Sequence, residues 1–230
     1  MPLSAILWDL DGTLIHFNID YKKARSETIR ILEKYGYPKG KLTQSYYVLK
    51  MIKQATDYFL QEKIYNVEKI SKIRSEIDKK VELIERNASY LARSIPGINR
   101  VLEFCAKSKI ESGIITLNTT KNAILSLETA NLINFFPDTS LIVGRDKVNK
   151  NKPDPEHIMF LINRLNVSPN NTCVIGDHPS DIESACSIGA RSIAITSEKH
   201  PANEFKTSFF VDQTKIETEL IEILHNFIKN

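Results

Sequence analysis

An alternation of short apolar runs with helical repeats most constrains the fold of this 230-residue chain. Between the runs, apolar residues recur at steps of three and four, as in Ile158, Leu161, Ile162 and Leu165. Such alternation predicts an α/β fold, a doubly wound parallel sheet covered by helices on both faces. The five runs have the length of strands buried on both faces, and they lie at 4–8, 112–117, 140–143, 172–176 and 192–196.

The first run ends in two aspartates within the stretch "DLDGT". Asp9 and Asp11 are two residues apart, and buried carboxylates so close together repel each other unless positive charge meets them. Gly12 allows a sharp turn after them, and we expect the Thr13 hydroxyl to hold this turn by hydrogen bonding. Ligands of doubly wound sheets bind beyond the carboxyl ends of the strands, where these aspartates are expected.

Three further polar motifs follow later apolar runs. "GIITLNTT" brings Thr116 to a strand end just before a helix that begins near Lys121, and its hydroxyl and the following N–H groups suit an oxyanion. "KNKPDP" contains Lys152 before a helix, and "VIGDHPSD" contains Asp177 and, one helical turn later, Asp181. All four motifs are therefore predicted to meet at one edge of the sheet.

These side chains together suit phosphoryl transfer. Asp9, Asp11 and Asp177 offer hard oxygen ligands, too few for a calcium cage and suited to Mg²⁺ with bound water. One carboxylate then attacks phosphorus, while a second one protonates the leaving alkoxide and later deprotonates water. Lys152 and the Thr116 region are predicted to stabilise the negative charge on the phosphoryl oxygens.

Residues 16–94 interrupt the alternation and are predicted to be helical throughout. We therefore expect a catalytic core formed by residues 1–15 and 95–230, with a helical cap domain of residues 16–94 inserted after the first strand. A coiled-coil dimer is one interpretation of the last helical repeat, and a long helix packed on its neighbours is the other. That repeat consists of Ile77, Val81, Ile84, Ala88 and Leu91.

Charge is unevenly distributed along the chain. Residues 18–93 contain 17 Lys and Arg against 10 Asp and Glu, a net charge of +7, whereas the remainder carries −4. A basic insert beside an acidic site suits a small anionic substrate. Because basic residues alternate with acidic ones, no nucleic-acid partner is predicted. We also expect no membrane association, and we expect a monomer or homodimer.

The N-terminus runs directly into a strand with acidic residues, so no signal peptide is predicted. Cys105, Cys173 and Cys186 are far apart and set among apolar residues, which predicts reduced cysteines in the core. A cytoplasmic location is expected on both grounds.

The four motifs, in this order, resemble those of the haloacid dehalogenase-like (HAD) superfamily. The residues that carry the resemblance are "DLDGTL", Thr116, Lys152 followed by "PDP", and "GDHPSD". The helical insert after the first strand is similar to the cap of the phosphoglycolate phosphatase and β-phosphoglucomutase branch, and the resemblance spans nearly the whole chain.

The resemblance implies a role for each motif residue. Asp9 would be the nucleophile and Asp11 the general acid and base. Magnesium would be bound by the carboxylates of Asp9 and Asp177 and by the backbone carbonyl of Asp11. Asp181 would lie just outside the direct ligands, where it would contact metal-bound water or Lys152.

The second motif departs from the usual pattern of this branch. Thr116, Leu117 and Asn118 are expected to bind the substrate phosphate, Leu117 through its backbone N–H. Phosphatases of the branch often have Asn directly after the Thr, whereas Asn118 comes one place later here.

Several residues near the motifs have no assigned role. His16 follows the first motif and is a candidate to face the cavity, and His178 stands where a small hydroxyl residue is common. Lys22, Lys23 and Arg25 open the insert and are candidates to meet the leaving group of the substrate.

The leading prediction is a Mg²⁺-dependent phosphomonoester hydrolase acting on a small metabolite through an aspartyl phosphate. A sugar phosphomutase of the same superfamily shares this intermediate and is the nearest alternative. A receiver-like signalling protein that accepts a phosphoryl group is the alternative from another class. Haloalkanoate dehalogenases lack the second aspartate, so Asp11 argues against that chemistry.

Overall fold

The computed structural model describes residues 2–16 and 19–229. The chain divides into two compact units, one of Met1–Asn18 with Ser89–Asn230 and the other of Ile19–Ala88. We predicted an insert of residues 16–94; of these, Phe17 and Asn18 lie outside the described residues.

The first unit contains a sheet of six parallel strands in the order β3-β2-β1-β4-β5-β6. Its first strand, β1, lies between β2 and β4, so the later strands lie on both sides of β1: β2 and β3 on one side, and β4, β5 and β6 on the other. Such a switch point opens a crevice at the carboxyl ends of the strands. The strands are β1 (Ala5–Trp8), β2 (Glu111–Ile115), β3 (Ile142–Val143), β4 (Thr172–Gly176), β5 (Arg191–Thr196) and β6 (Phe210–Asp212).

Helices cover both faces of this sheet. Successive side chains of a strand point to opposite faces, so each buried strand supplies apolar side chains to both layers of helices. Ile6 and Trp8 of β1 join one apolar cluster, and Leu7 joins the other. The helices of this unit are α4 (Ile98–Lys107), α5 (Thr120–Thr129), α6 (Glu156–Leu165), α7 (Pro179–Ser187) and α8 (Ile221–Lys229). The predicted α/β fold with a doubly wound parallel sheet is confirmed; β6, which the sequence pattern did not predict, adds an edge strand.

The second unit is all-helical and has its own apolar core. It is formed by α1 (Tyr21–Lys34), α2 (Val48–Gln61) and α3 (Val67–Ser89). Ile77, Val81, Ile84 and Ala88 of α3 are buried in this core, which favours the packed helix over the coiled coil. The inclusion of Leu91 in the repeat was wrong, since α3 ends at Ser89 and Leu91 is 67% exposed.

The cysteines are partly as expected. Cys105 and Cys173 are buried, but Cys186 is exposed on α7, so its assignment to the core was wrong. Within the described chain, no helix has the length and apolar character needed to span a membrane.

Candidate active site

Asp9 and Asp11 follow β1 at the centre of the sheet. The backbone N–H of Asp9 donates a hydrogen bond of 2.8 Å to Ile175 O of β4, which continues the strand pairing up to this residue. Asp9 is buried and Asp11 is half-buried. The two carboxylates therefore stand at the carboxyl edge of the central strand, as the sequence predicts.

Gly12 turns the chain beside Asp177. Its φ of +96° lies in the left-handed region, and a Cβ there would be 2.1 Å from Oδ2 of Asp177. The chain needs glycine at this position both for the backbone conformation and for the close approach of the carboxylate.

The turn is held mainly by backbone groups. Gly12 N–H donates to Ile15 O at 2.8 Å, and Leu14 N–H donates to Leu10 O at 2.9 Å. The expectation that Thr13 ties the turn was wrong, because its buried hydroxyl has no hydrogen-bond partner among the described residues. The side chain of Gln213, which no motif indicated, donates instead to Gly12 O at 2.9 Å.

Lys152 contacts carboxylates of the first and the fourth motif. Its Nζ donates hydrogen bonds of 2.6 Å to Oδ1 of Asp9, 2.6 Å to Oδ1 of Asp181 and 2.9 Å to Ile115 O. Only 2% of the side chain is exposed. Burial favours neutral lysine, but Asp181 and Asp9 outweigh it and raise the Lys152 pKa above its ordinary value.

Three carboxylates gather at this place. Asp9, Asp177 and Asp181 each offer an oxygen, and these oxygens lie within 4.8 Å of one another. Burial, with Lys152 opposing it, raises the Asp9 pKa to about 6, and burial together with Asp9 and Asp181 raises the Asp177 pKa to about 8. The ammonium group of Lys152 balances one of three negative charges, so the group as it stands disfavours full ionisation.

This arrangement fits a divalent cation. The donors are oxygens alone, and the raised pKa values of Asp9 and Asp177 indicate a deficit of positive charge that such a cation would supply. Asp181 was expected outside the direct ligands, and the structure brings it into the carboxylate group and into contact with Lys152. The carboxylate of Asp11 is not part of this group, and the resemblance assigned its carbonyl rather than its carboxylate to the metal.

The start of α7 fixes Asp181. Oδ2 of Asp181 accepts a hydrogen bond of 3.1 Å from His178 N–H, and a Cβ at Gly176 would lie 2.3 Å from the same oxygen. His178 caps the helix, since its Nδ1 accepts the backbone N–H of Ser180 at 3.2 Å. These contacts give His178 a structural task at the helix end.

The β2 loop, residues 116–120, follows the strand that pairs with β1, after which Asp9 comes. Thr116 N–H donates to Val143 O at 3.1 Å, and the Thr116 hydroxyl accepts Asn118 N–H at 3.0 Å. Asn118 is buried and its side-chain oxygen accepts Thr119 N–H at 2.9 Å, whereas the side chain of Leu117 is 40% exposed. The side-chain amide oxygen of Asn118 thus stabilises the conformation of the loop.

The remaining candidates are His16 and three basic residues of α1. His16 is exposed, and its backbone N–H donates to Arg93 O at 2.9 Å. Lys22 and Lys23 are exposed on α1 of the helical unit. Arg25, also on α1, donates to Gln44 O at 2.9 Å. The cavity-facing position of His16 and the contact of the α1 residues with the leaving group stay predictions.

Comparison with known proteins identifies the family. The profile of the haloacid dehalogenase-like hydrolases matches residues 6–195, and the chain therefore belongs to that family. The predicted superfamily membership is confirmed, and with it the assignment of the protein as an enzyme.

Individual relatives extend this similarity over most of the chain. A phosphorylated carbohydrates phosphatase of Thermotoga maritima is 26% identical over 193 residues, which cover 83% of this chain and 84% of the relative. A phosphoglycolate phosphatase of Nitrosospira multiformis is 22% identical over 195 residues, covering 85% and 84%. The crystal structure of a HAD hydrolase, family IA, variant 3, from Entamoeba histolytica has a TM-score of 0.70 at 24% identity, covering 99% and 100%, and shares the fold.

Proposed function

We propose that this protein is a Mg²⁺-dependent phosphatase that hydrolyses the phosphomonoester of a small metabolite through an aspartyl phosphate on Asp9. The observation that carries this proposal is the buried contact of 2.6 Å between Lys152 Nζ and Asp9 Oδ1 within a group of three carboxylates. Membership of a hydrolase family and the similarity to phosphatases support it.

The proposed metal ligands are the carboxylates of Asp9 and Asp177 and the backbone carbonyl of Asp11. When bound, Mg²⁺ would neutralise carboxylate charge and polarise a phosphoryl oxygen. Asp181 holds Lys152 in place through its hydrogen bond of 2.6 Å.

In the first step, a carboxylate oxygen of Asp9 attacks phosphorus and the bond from phosphorus to the alkoxide leaving group breaks. Asp11 donates its proton to that alkoxide, which leaves as an alcohol. Lys152 is already charged beside Asp9, so it offsets negative charge without rearrangement. The product of the step is a phosphoryl group bonded to Asp9.

In the second step, Asp11, now a carboxylate, takes a proton from water. The resulting nucleophile attacks phosphorus, and the bond between phosphorus and the Asp9 oxygen breaks. Inorganic phosphate leaves, and Asp11 again holds the proton that the next cycle needs. One carboxylate can serve both steps because it gains in the second the proton that it gave in the first.

The β2 loop is proposed to bind the other phosphoryl oxygens. Thr116 offers its hydroxyl, and Leu117 offers its backbone N–H. Asn118 contributes by shaping the loop through its bond to Thr119 N–H. The start of α5 at Thr120 adds the positive end of a helix dipole.

The proposed substrate is a small anionic phosphorylated metabolite. The two named phosphatases are similar to this chain and carry different substrate names, so the family does not determine which metabolite is used. The net charge of +7 on residues 18–93 supports an anion. We further propose a cytoplasmic location without a nucleic-acid or membrane partner.

The test is hydrolysis of p-nitrophenyl phosphate by wild-type protein, by Asp9→Asn and by the control Asp57→Asn. Asp57 is exposed on α2 and pairs only weakly, at 3.4 Å, with Lys53. We expect Mg²⁺-dependent turnover, stopped by EDTA, that Asp9→Asn lowers by at least about a thousandfold and Asp57→Asn leaves unchanged.

Two outcomes would count against the proposal. Retention of more than about a tenth of the wild-type rate by Asp9→Asn contradicts the nucleophile assignment, since loss of a covalent step costs orders of magnitude. Isomerisation of a sugar phosphate without release of phosphate would favour the phosphomutase, and a stable phosphoprotein without turnover would favour the receiver-like protein.

A further inference from the structure

The loop that follows β3 is hydrogen-bonded to the β2 loop. The β3 loop consists of residues 144–146, and the β2 loop of residues 116–120. The strands that precede them, β3 and β2, are neighbours in the sheet. Gly144 lies so close to the β2 loop that a Cβ there would be 2.3 Å from Thr120 N and 2.6 Å from Asn118 O. Only glycine permits this approach without displacement of the β2 loop.

Asp146 binds the residue at which α5 begins. Its Oδ1 accepts the backbone N–H of Thr120 at 2.7 Å and the hydroxyl of Thr120 at 2.9 Å. The first N–H groups of a helix have no partner within the helix, so Asp146 satisfies one of them. Burial raises the pKa of Asp146, but the bonds from Thr120 outweigh it and the net pKa lies below the ordinary value, which keeps the acceptor ionised.

Arg145 binds the middle of the same loop. Its side-chain nitrogen donates to Leu117 O at 2.7 Å, and its backbone N–H donates to Asn118 O at 3.0 Å. Gly144 N–H donates to the Thr120 hydroxyl at 3.0 Å. The three residues of the β3 loop therefore contact Leu117, Asn118 and Thr120 through polar bonds.

We propose that Asp146 and Arg145 are positioning residues that hold the β2 loop in the shape that binds the substrate phosphate. They hold the backbone carbonyl groups of Leu117 and Asn118 and the N–H group of Thr120 in hydrogen bonds. These bonds fix the backbone on both sides of the Leu117 N–H group, which is the N–H group proposed above to bind a phosphate oxygen. Neither side chain is assigned a contact with substrate. This inference rests on the proposed function, because that function supplies the phosphate.

The experiment measures the dissociation constant of inorganic phosphate by calorimetry in the presence of Mg²⁺. Asp146→Ala removes both bonds to Thr120, Asp146→Asn retains an acceptor oxygen, and Asp138→Ala is the matched control. Asp138 accepts Ser140 N–H at 2.9 Å in the turn just before β3, so it holds a different turn from the β2 loop.

We expect Asp146→Ala to weaken phosphate binding on the order of tenfold, with a matching rise in KM for p-nitrophenyl phosphate, as for loss of hydrogen bonds to a charged acceptor. Asp146→Asn should stay within about threefold of wild type because it keeps the acceptor. Mg²⁺ affinity should be unchanged in all three variants, since the proposed metal ligands lie on other loops.

The outcomes separate this inference from the function on which it rests. Failure of the wild-type protein to bind phosphate would contradict the proposed function. Phosphate binding by Asp146→Ala equal to that of wild type, even with lowered thermal stability, would overturn the positioning role. If Asp146→Ala does not fold, Arg145→Met provides the same comparison of phosphate affinity, and an unchanged affinity there overturns the proposal as well.

Discussion

The ammonium nitrogen of Lys152 lies 2.6 Å from Oδ1 of Asp9, and both side chains are buried at the carboxyl edge of the sheet. The same nitrogen contacts Asp181 at 2.6 Å. Lys152 therefore connects the first and fourth motifs and supplies positive charge directly beside the proposed nucleophile.

Lys152→Met should lower the rate of p-nitrophenyl phosphate hydrolysis by about 10²–10³, the usual cost of removing one stabilising donor from an active site. The loss should appear in kcat, because the charge of Lys152 offsets charge that develops during phosphoryl transfer. Steady-state kinetics with saturating Mg²⁺ measure it.

Lys150→Met is the matched control for that variant. Lys150 is two residues away, its side chain is 70% exposed, and it pairs with Asp154 at 3.6 Å. Its replacement should change kcat by less than about twofold, because an exposed ion pair contributes little. Equal losses in the two variants would contradict the special role of Lys152.

Gly12→Ala should lose activity and stability together. A Cβ at Gly12 would lie 2.1 Å from Asp177 Oδ2, so this carboxylate must move away from its place. Gly36→Ala isolates the backbone effect, since Gly36 also has a positive φ, +88°, but a Cβ there meets nothing within 4 Å.

Both glycine variants should lose about 1–2 kcal/mol of unfolding free energy from left-handed strain. Gly12→Ala alone should weaken Mg²⁺ binding and lower kcat. Chemical denaturation and Mg²⁺ titration check these expectations, and full activity of Gly12→Ala would show that Asp177 does not need its observed position.

Magnesium should stabilise the protein more at high pH than at low pH. The pKa values of Asp9 and Asp177 are raised to about 6 and about 8, whereas both groups titrate near 4 in an unfolded chain. The metal-free protein thus binds more protons than its unfolded chain and loses stability as pH rises from about 4 to about 8. The increase in Tm on adding Mg²⁺ should be larger near pH 8 than near pH 5.

This difference must be measured at each pH with and without Mg²⁺. His157 is buried and its pKa is lowered from 6.5 to about 4. The unfolded chain therefore binds more protons at this residue between these pH values, so His157 adds stability as pH rises from about 4 to 6.5. That contribution is common to both samples and cancels in the difference. A Tm increase that does not depend on pH would contradict the assignment of the cation to these carboxylates.

Asp177→Asn should raise the Tm of the metal-free protein near pH 8 and abolish most of the stabilisation by Mg²⁺. The substitution removes a half-buried charge that Asp9 and Asp181 repel, and it also removes a proposed metal ligand. Thermal unfolding with and without Mg²⁺ measures both effects. A lower Tm in the metal-free variant would argue against charge repulsion at this group.

The sequence predicts the buried strands of the core well, because each one is an apolar run. β4 (Thr172–Gly176) has the predicted bounds, and Thr116 follows the end of β2 as expected. The edge strand β6 escaped prediction because Val211 is its only buried residue. Edge position and short length leave little hydrophobic signal.

The motif residues of the site also follow from the sequence, since parallel strands bring their carboxyl ends to one edge. The supporting contacts do not. Gln213 donates a hydrogen bond to the backbone carbonyl of Gly12, and Asp146 accepts one from the backbone N–H of Thr120. Any residue offers these backbone groups, so such contacts leave no pattern in the chain before it is folded.

The central claim is the phosphoryl group on Asp9, and chemical trapping tests it most directly. Wild-type protein turning over a phosphomonoester with Mg²⁺ is quenched and treated with borohydride, which reduces an acyl phosphate to an alcohol and leaves free carboxylates intact. Peptide mass spectrometry should then find homoserine at position 9, dependent on both substrate and Mg²⁺. Continued turnover with Asp9 unmodified, or reduction at another aspartate, would contradict the account.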